Sequence, residues 1–386
     1  MSRSQISLFD DQRTTLAEVI ELSLASLRSY GERYQHWSIA YSGGKDSSAT
    51  VTFIAWALEE KLIPQPESVT VLYADTRMEL PPLQQTAMRM LAQLRRKGMD
   101  AQVVLPELDK RFFVYMLGYG VPPPKNRFRW CTPALKVEPM MQALADLRQR
   151  SKQKLLSITG VRLGESSARD ERIALSCSRD SGECGQGWFQ VSTPAETADT
   201  LAPLLHWRVC HVFDWLYFEI ERHGYPDVLE IAAVYGDADV RTGCVGCNLA
   251  SQDTALIRLI RNPQYAHLAP LLELKPLYKE LTTAKRRKRK AEPERRQDGQ
   301  WAKNAQRLGP LTMEARAYGL ERVLDIQQRS GMDLINPQEE ARIRMMWQLN
   351  MWPRKWNGYE VNGDVMLDAI YITALGDIVS QPLLLG

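Results

Sequence analysis

The residues best suited to chemistry fall in four places. At 42–48 the chain reads Ser42-Gly43-Gly44-Lys45-Asp46-Ser47-Ser48 after a short apolar run. A glycine pair lets backbone N–H groups approach an anion, and Lys45 adds a compact charge for a phosphate. The same residues would also make a surface turn with a helix cap. A second place is GVRLGESSARDER at 160–172, which offers Arg162, Glu165, Arg169 and Arg172. Arginines suit bidentate recognition of phosphate. Third, RFRWCTPALKVEPM sets Cys131 beside Trp130, Arg127 and Arg129, with Lys136 further on. Basic surroundings lower a thiol's pKa and favour the reactive thiolate; the competing reading is a small buried side chain. Fourth, Cys177 and Cys184 lie in CSRDSGEC, and Cys244 and Cys247 in GCVGC. Four thiolates close either a tetrahedral zinc site or a [4Fe–4S] cluster. Spacing does not separate these, nor does it exclude a redox-active Cys-x-x-Cys without metal. Cys210, in the apolar helical stretch LLHWRVCHVFDWL, receives no role.

These residues need a scaffold, and the patterning supplies one. Residues 13–30 carry apolar positions at helical spacing. HWSIAY at 36–41 reads as a buried strand, SSATVTFIAWALEEKL as a helix and SVTVLYAD at 68–75 as the next strand. A helix follows over 79–98, then the strand AQVVLP at 101–106, and KLLSITGVR at 154–162 reads as another strand. Strand and helix alternating at this rhythm predict an α/β fold, a parallel sheet flanked by helices. Ligands bind such sheets at the carboxyl ends of the strands. Ser42–Ser48, Asp75–Arg77 and Gly160–Glu165 each follow a predicted strand end. Residues 311–350 return to helical patterning, so a helical C-terminal region is expected.

SGGKDS is similar to the pyrophosphate loop of the PP-loop ATP pyrophosphatases. It is not the Walker pattern, because its glycines adjoin the lysine directly. The resemblance implies the adenine nucleotide alpha hydrolase-like fold, with ATP cleaved between its α and β phosphates and AMP left on an acceptor oxygen. It implies ATP contacts from Ser42, Gly43, Gly44, Lys45, Asp46, Ser47, Ser48, Asp75, Arg162, Glu165 and Arg169, with Mg²⁺ near Asp75. Lys45, Asp46 and Arg162 would be catalytic. Asp75 also suits a helix cap, and the two roles are compatible. RWC…LKVEP and GVR…ES…R together resemble the PAPS reductase-like branch. Within it the match is to DNA-phosphorothioation sulfurtransferases of the DndC and SspD kind, over roughly 35–250 by motif. That resemblance implies a DNA backbone phosphate as acceptor and Cys131 as a persulfide carrier. It favours a [4Fe–4S] cluster over zinc on Cys177, Cys184, Cys244 and Cys247. A cysteine desulfurase and other phosphorothioation-system proteins would be partners.

Three rivals remain. A tRNA thiolation enzyme shares the loop and the sulfur logic. A sulfonucleotide reductase carries a cysteine in a C-terminal E-C-G-[LI]-H motif; GECGQGW at 182–188 gives the first three letters, but no histidine follows. A DNA-binding scaffold with a structural metal would need a degenerate nucleotide site, and the loop is intact.

Composition sets the outer limits. Hydrophobic residues make up 44% and charged residues 25% of the 386 residues, as in ordinary globular proteins. No apolar run approaches the roughly 20 residues that span a bilayer, and the N-terminus does not read as a secretory signal, so a cytoplasmic location without membrane contact is expected. Six cysteines in such a chain do not suggest a disulfide framework. The net charge is +3, yet KRRKRK at 285–290 stands out. The segment 283–300 reads as exposed and mobile, and its basic run either as a solvated stretch or as an arm for DNA phosphates. The expected organisation is an N-terminal helix (1–35), a PP-loop domain with the cysteine-rich site (36–250), a helical extension (251–282), the basic segment (283–300) and the C-terminal region (301–386). Oligomeric state is left open, a homodimer being one arrangement.

Overall fold

The strand β1, His36–Tyr41, is flanked on both sides by parallel partners; it buries Trp37, Ile39 and Tyr41 on one face and Ser38 on the other. Its three large apolar residues accordingly stand at every second position of HWSIAY. A computed structural model describes residues 14–126, 128–164, 170–171, 173, 182–183, 188–190, 197–225, 243–295, 298–302, 304–373 and 377–381. The chain divides into two compact units, the first made of Met1–Asp75, Pro81–Leu105 and Pro139–Thr242, the second of Thr76–Leu80, Pro106–Glu138 and Gly243–Gly386.

In the first unit, helix α1 (Leu16–Gly31) starts at a capping box between Thr15 and Glu18. After β1 come α2 (Lys45–Glu59), β2 (Ser68–Ala74), α3 (Pro81–Arg96), β3 (Asp100–Val104), α4 (Glu138–Ser151) and β4 (Leu155–Ile158). Two short strands follow, β5 (Gly182–Glu183) and β6 (Trp188–Gln190), then β7 (Ala198–Ala202). The sheet order is β3-β2-β1-β4-β7-β6-β5. The first five strands are parallel, and β6 and β5 add antiparallel to the edge. The expected parallel α/β sheet is therefore present. The strand order reverses at β1, between β2 and β4, which creates a crevice at the carboxyl ends of β1 and β4. Phe53 of α2 packs edge-on against Trp207 and Trp215, with ring centroids 5.6 and 5.4 Å away. This cluster fixes α2 and the Trp207 backbone, both of which bear on the site.

The second unit holds a three-stranded sheet of order β10-β8-β9, made of β8 (Arg287–Arg289), β9 (Leu308–Leu311) and β10 (Val361–Asn362). Its helices include Leu274–Leu281, Met313–Ser330 and Pro337–Gln348. A hairpin of β11 (Ala369–Ile372) and β12 (Ile378–Gln381) lies near the end of the chain.

The basic run differs from its sequence reading. Lys285–Lys290 is not a mobile arm: it forms a helical turn and the central strand β8, with Arg286 to Lys290 all at least partly buried. The cause is neutralisation by carboxylates both near and distant in the chain. Arg286 donates to Glu280 at 3.1 Å, and Lys290 lies 2.9 Å from Glu360 and 3.6 Å from Glu294. Arg287 donates to the carbonyls of Gly309 at 2.8 Å and Leu308 at 3.1 Å. Burial and the Arg307 charge hold its guanidinium down to about 10. Arg287→Ala should therefore destabilise the protein by about 2 kcal/mol, because it strips buried carbonyls of their donor. Urea denaturation checks this; a change within about 0.5 kcal/mol, the usual range for exposed surface positions, would return the run to a solvated role.

Candidate active site: a phosphate loop and a thiol turn

The loop after β1 is held open by its own hydroxyls. The Ser42 N–H donates to the Ser47 hydroxyl at 3.2 Å, and the Ser47 hydroxyl donates to the Gly44 carbonyl at 3.0 Å. Gly43 has φ +73°, and a Cβ there would meet that of Ala87 at 3.2 Å. Both facts require glycine. Gly44 precedes α2 in an extended conformation and has no side chain to cap the helix. The N-terminus of a 15-residue helix is thus left without a side-chain cap. Such a terminus attracts anions through its N–H groups and its dipole.

Lys45 and Asp46 open that helix. The Lys45 ammonium lies 3.0 Å from one Asp46 carboxylate oxygen. The other oxygen accepts from Nε and Nη2 of Arg162, each at 2.6 Å. Arg162 also donates to the Trp207 carbonyl at 3.0 Å and is 2% exposed. It follows β4, whose next residues come close to α2: a Cβ on Gly160 would meet the Thr50 hydroxyl at 2.9 Å. The arginine picked out in the sequence for phosphate is here turned toward Asp46, which it orients. Removing it leaves the Trp207 carbonyl without this donor and Asp46 with Lys45 in its place. Arg162→Ala should cost about 3 kcal/mol of stability, as for a broken buried ion pair. Arg162→Lys should recover part of that, since it restores charge but not the forked geometry. Equal stability of Arg162→Ala and the native chain in urea would remove this role.

Asp75 follows β2. Its N–H donates to the Val104 carbonyl at 3.1 Å, and its carboxylate accepts from Gln84 at 3.3 Å. It is 8% exposed. Ser42–Ser48, Asp75 and Arg162 thus stand at or just beyond the carboxyl ends of β1, β2 and β4 within one unit. Glu165 and Arg169 lie outside the described residues, as do Cys177 and Cys184.

The thiol turn belongs to the second unit. The Cys247 N–H donates to the Cys244 carbonyl at 3.0 Å, closing the Cys-x-x-Cys loop. Gly246 has φ +63°, and a Cβ there would meet Leu274 at 2.7 Å. The turn is tied down by Gly246 N–H to Asp253 at 3.1 Å and by Val245 N–H to the Met78 carbonyl at 2.6 Å. The Thr76 hydroxyl, fully buried, lies 3.9 Å from the Cys244 sulfur and donates to Glu79 at 2.6 Å. Burial pushes the Cys244 thiol up to about 11, against the pull of Lys136.

Cys131 is half-buried in the same unit. Trp130 anchors it, donating to the Pro122 carbonyl at 2.9 Å and stacking on Phe112 at 5.3 Å. Its thiol is not pulled toward the thiolate as its sequence neighbours suggest. Burial raises it, and the charge of Cys247 raises it further. The basic neighbours explain little: Arg129 is exposed and bound to Asn126, and Arg127 lies outside the described residues. Cys210 is exposed in the helix Val209–Asp214, while its neighbours His211 and Val212 face the core. An apolar stretch does not bury every face of a helix.

Two soft thiols on one turn, with Cys131 within electrostatic reach of Cys247, are the donor type that zinc and iron–sulfur centres take. Among the described residues no three or more His, Cys, Asp or Glu side chains are grouped to hold a metal ion. Thr76 and Tyr278, both beside this turn, carried no signal in the sequence. Gly246, against Leu274 and Tyr278, is the turn residue that meets Tyr278.

Residues 36–249 match the family model of the phosphoadenosine phosphosulfate reductase domain. Among curated proteins none matches the chain. Similar solved structures include a phosphoadenylyl-sulfate reductase from Candida auris in a phosphate complex, 13% identical over 60% of this chain and 89% of that one, with TM-score 0.33. An FMN adenylyltransferase from Candida glabrata is 14% identical over 53% of this chain and 56% of that one, with TM-score 0.35. A U34-tRNA thiolase from Methanococcus maripaludis with its [4Fe-4S] cluster is 12% identical over 69% and 79%, with TM-score 0.34. Likeness at this level carries no argument about activity. No described helix is long and apolar enough to cross a membrane.

Proposed function

The chain belongs to the phosphoadenosine phosphosulfate reductase domain family, and from that premise we propose that it is an ATP pyrophosphatase and sulfurtransferase acting on DNA backbone phosphate. The observation that carries the nucleotide part is the loop Ser42–Gly44, set before an uncapped helix at the reversal of strand order. The α2 N–H groups and Lys45 would receive the β and γ phosphates. Lys45 exchanges Asp46 for the leaving pyrophosphate, while Arg162 keeps Asp46 in place. Asp46 and Asp75 are hard oxygen donors suited to Mg²⁺. A non-bridging oxygen of the DNA phosphate attacks the α phosphorus, and the bond to pyrophosphate breaks. A persulfide sulfur, delivered by a cysteine desulfurase and carried on Cys131, then attacks the adenylated phosphorus, and AMP leaves with the oxygen. An external thiol attacks the Cys131 sulfur, breaking the S–S bond, so that DNA phosphorothioate departs and Cys131 is left in a mixed disulfide that a second thiol reduces.

Cys244 and Cys247 would supply two thiolates to a [4Fe–4S] centre. Such a centre supplies electron transfer or sulfur handling when bound. What the chain itself contributes there is a buried, glycine-hinged turn fixed by Asp253 and Met78.

The DNA assignment rests on the motif resemblance at RWC…LKVEP and GVR…ES…R. The direct test mixes protein, ATP, duplex DNA, a cysteine desulfurase and labelled cysteine, then follows pyrophosphate, AMP and label in digested DNA. Label in tRNA and not in DNA would replace this reading by tRNA thiolation. The family match favours one second reading, a sulfonucleotide reductase; sulfite release from phosphoadenylyl sulfate would establish it.

A further inference from the structure

The phenol of Tyr278 is fully buried, and its hydroxyl has no hydrogen-bond partner among the described residues. An unpaired buried hydroxyl is costly, because water no longer satisfies it. The ring sits against the thiol turn: a Cβ on Gly246 would lie 3.4 Å from Tyr278 Cε2, the carbon next to the one that bears the hydroxyl. Burial raises the phenol well above its ordinary value, and charge on Cys244, Cys247 or Asp253 raises it further, so those groups lie within electrostatic reach. Phe112, which stacks on Trp130 next to Cys131, contacts the ring at 5.7 Å. The Asp253 carboxylate already accepts from the Gly246 N–H.

The acceptors within electrostatic reach are the sulfurs of Cys244 and Cys247 and the Asp253 carboxylate. A neutral thiol is a weak acceptor, whereas a thiolate on a metal carries charge. We infer that Tyr278 is a positioning residue that donates a hydrogen bond to a sulfur of the metal-loaded Cys244–Cys247 turn. This rests on the reading of that turn as a metal site. Hydrogen bonds to ligand sulfur orient a metal site and tune its affinity. Among the described residues no other partner awaits the hydroxyl, so its removal should weaken metal binding and should not destabilise the metal-free protein.

The test is Tyr278→Phe, which keeps the ring and removes only the hydroxyl. Full-length native and variant proteins are titrated anaerobically with Cd²⁺ alone, reading the thiolate-to-metal absorption, and each is unfolded in urea without metal. The variant should bind Cd²⁺ about tenfold more weakly while its metal-free form is at least as stable as the native one. Equal Cd²⁺ affinity, or a metal-free variant less stable than native, overturns the assignment and leaves the metal turn standing. If the native protein itself binds no Cd²⁺, or Cys247→Ser binds it as the native chain does, the metal reading fails and takes Tyr278 with it.

Discussion

Lys45→Ala should lower pyrophosphate release from ATP by about 10²–10³-fold, the loss typical of one group that stabilises transition-state charge. The unfolding midpoint stays close to that of the native chain. The first half follows from position: Lys45 is the first residue of α2, directly after the glycine pair, where the leaving pyrophosphate's charge must be met. The second half follows from its partners. Asp46 keeps both bonds from Arg162 when the lysine is gone, so no buried carboxylate is orphaned. Lys45→Ala and Arg162→Ala therefore separate cleanly, one losing activity with the fold intact and the other losing stability. Pyrophosphate release unchanged at saturating ATP would take the loop out of the mechanism.

On the proposed sulfurtransferase reading, Cys131→Ser should abolish sulfur transfer and leave pyrophosphate release in place. A serine hydroxyl carries no persulfide and is a far weaker nucleophile at neutral pH. Because burial and the Cys247 charge raise the native thiol above its ordinary range, loading of Cys131 should speed up as pH rises through and beyond that range. Raising pH populates the thiolate, and a raised pKa moves that gain upward. The measurement follows protein-bound persulfide and label in DNA over a pH series. Phosphorothioation by Cys131→Ser at the native rate would make Cys131 structural, with sulfur arriving directly from a partner.

Much of the phosphate loop was legible because its chemistry is local. The glycines, the lysine and the hydroxyls sit within seven residues, and the strand before and the helix after declare themselves by burial and by period. The same holds for the Cys244–Cys247 turn, whose glycine permits its left-handed backbone. Four of the five parallel strands were legible for the same reason, each a short largely apolar run; β7, Ala198–Ala202, was not, because ADTLA carries no such run.

Charge and thiol reactivity were not legible, because both depend on what folding brings near. KRRKRK is solvated only if nothing neutralises it, and Glu280, Glu294 and Glu360 do so from both sides in sequence. The basic residues beside Cys131 in the chain do not set its proton affinity; burial and Cys247, 116 positions away, do. Arg162 looks like a phosphate ligand until Asp46, also 116 positions earlier, takes two of its donors. The sequence alone determined the loop, the turn and the alternation of strands and helices from β1 to β3, because propensity and spacing act over a few residues. Tertiary structure alone decided that Thr76, Trp130 and Cys131 belong to the same unit as Cys244 and Tyr278. That grouping depends on packing between segments far apart in the chain, which no local pattern encodes.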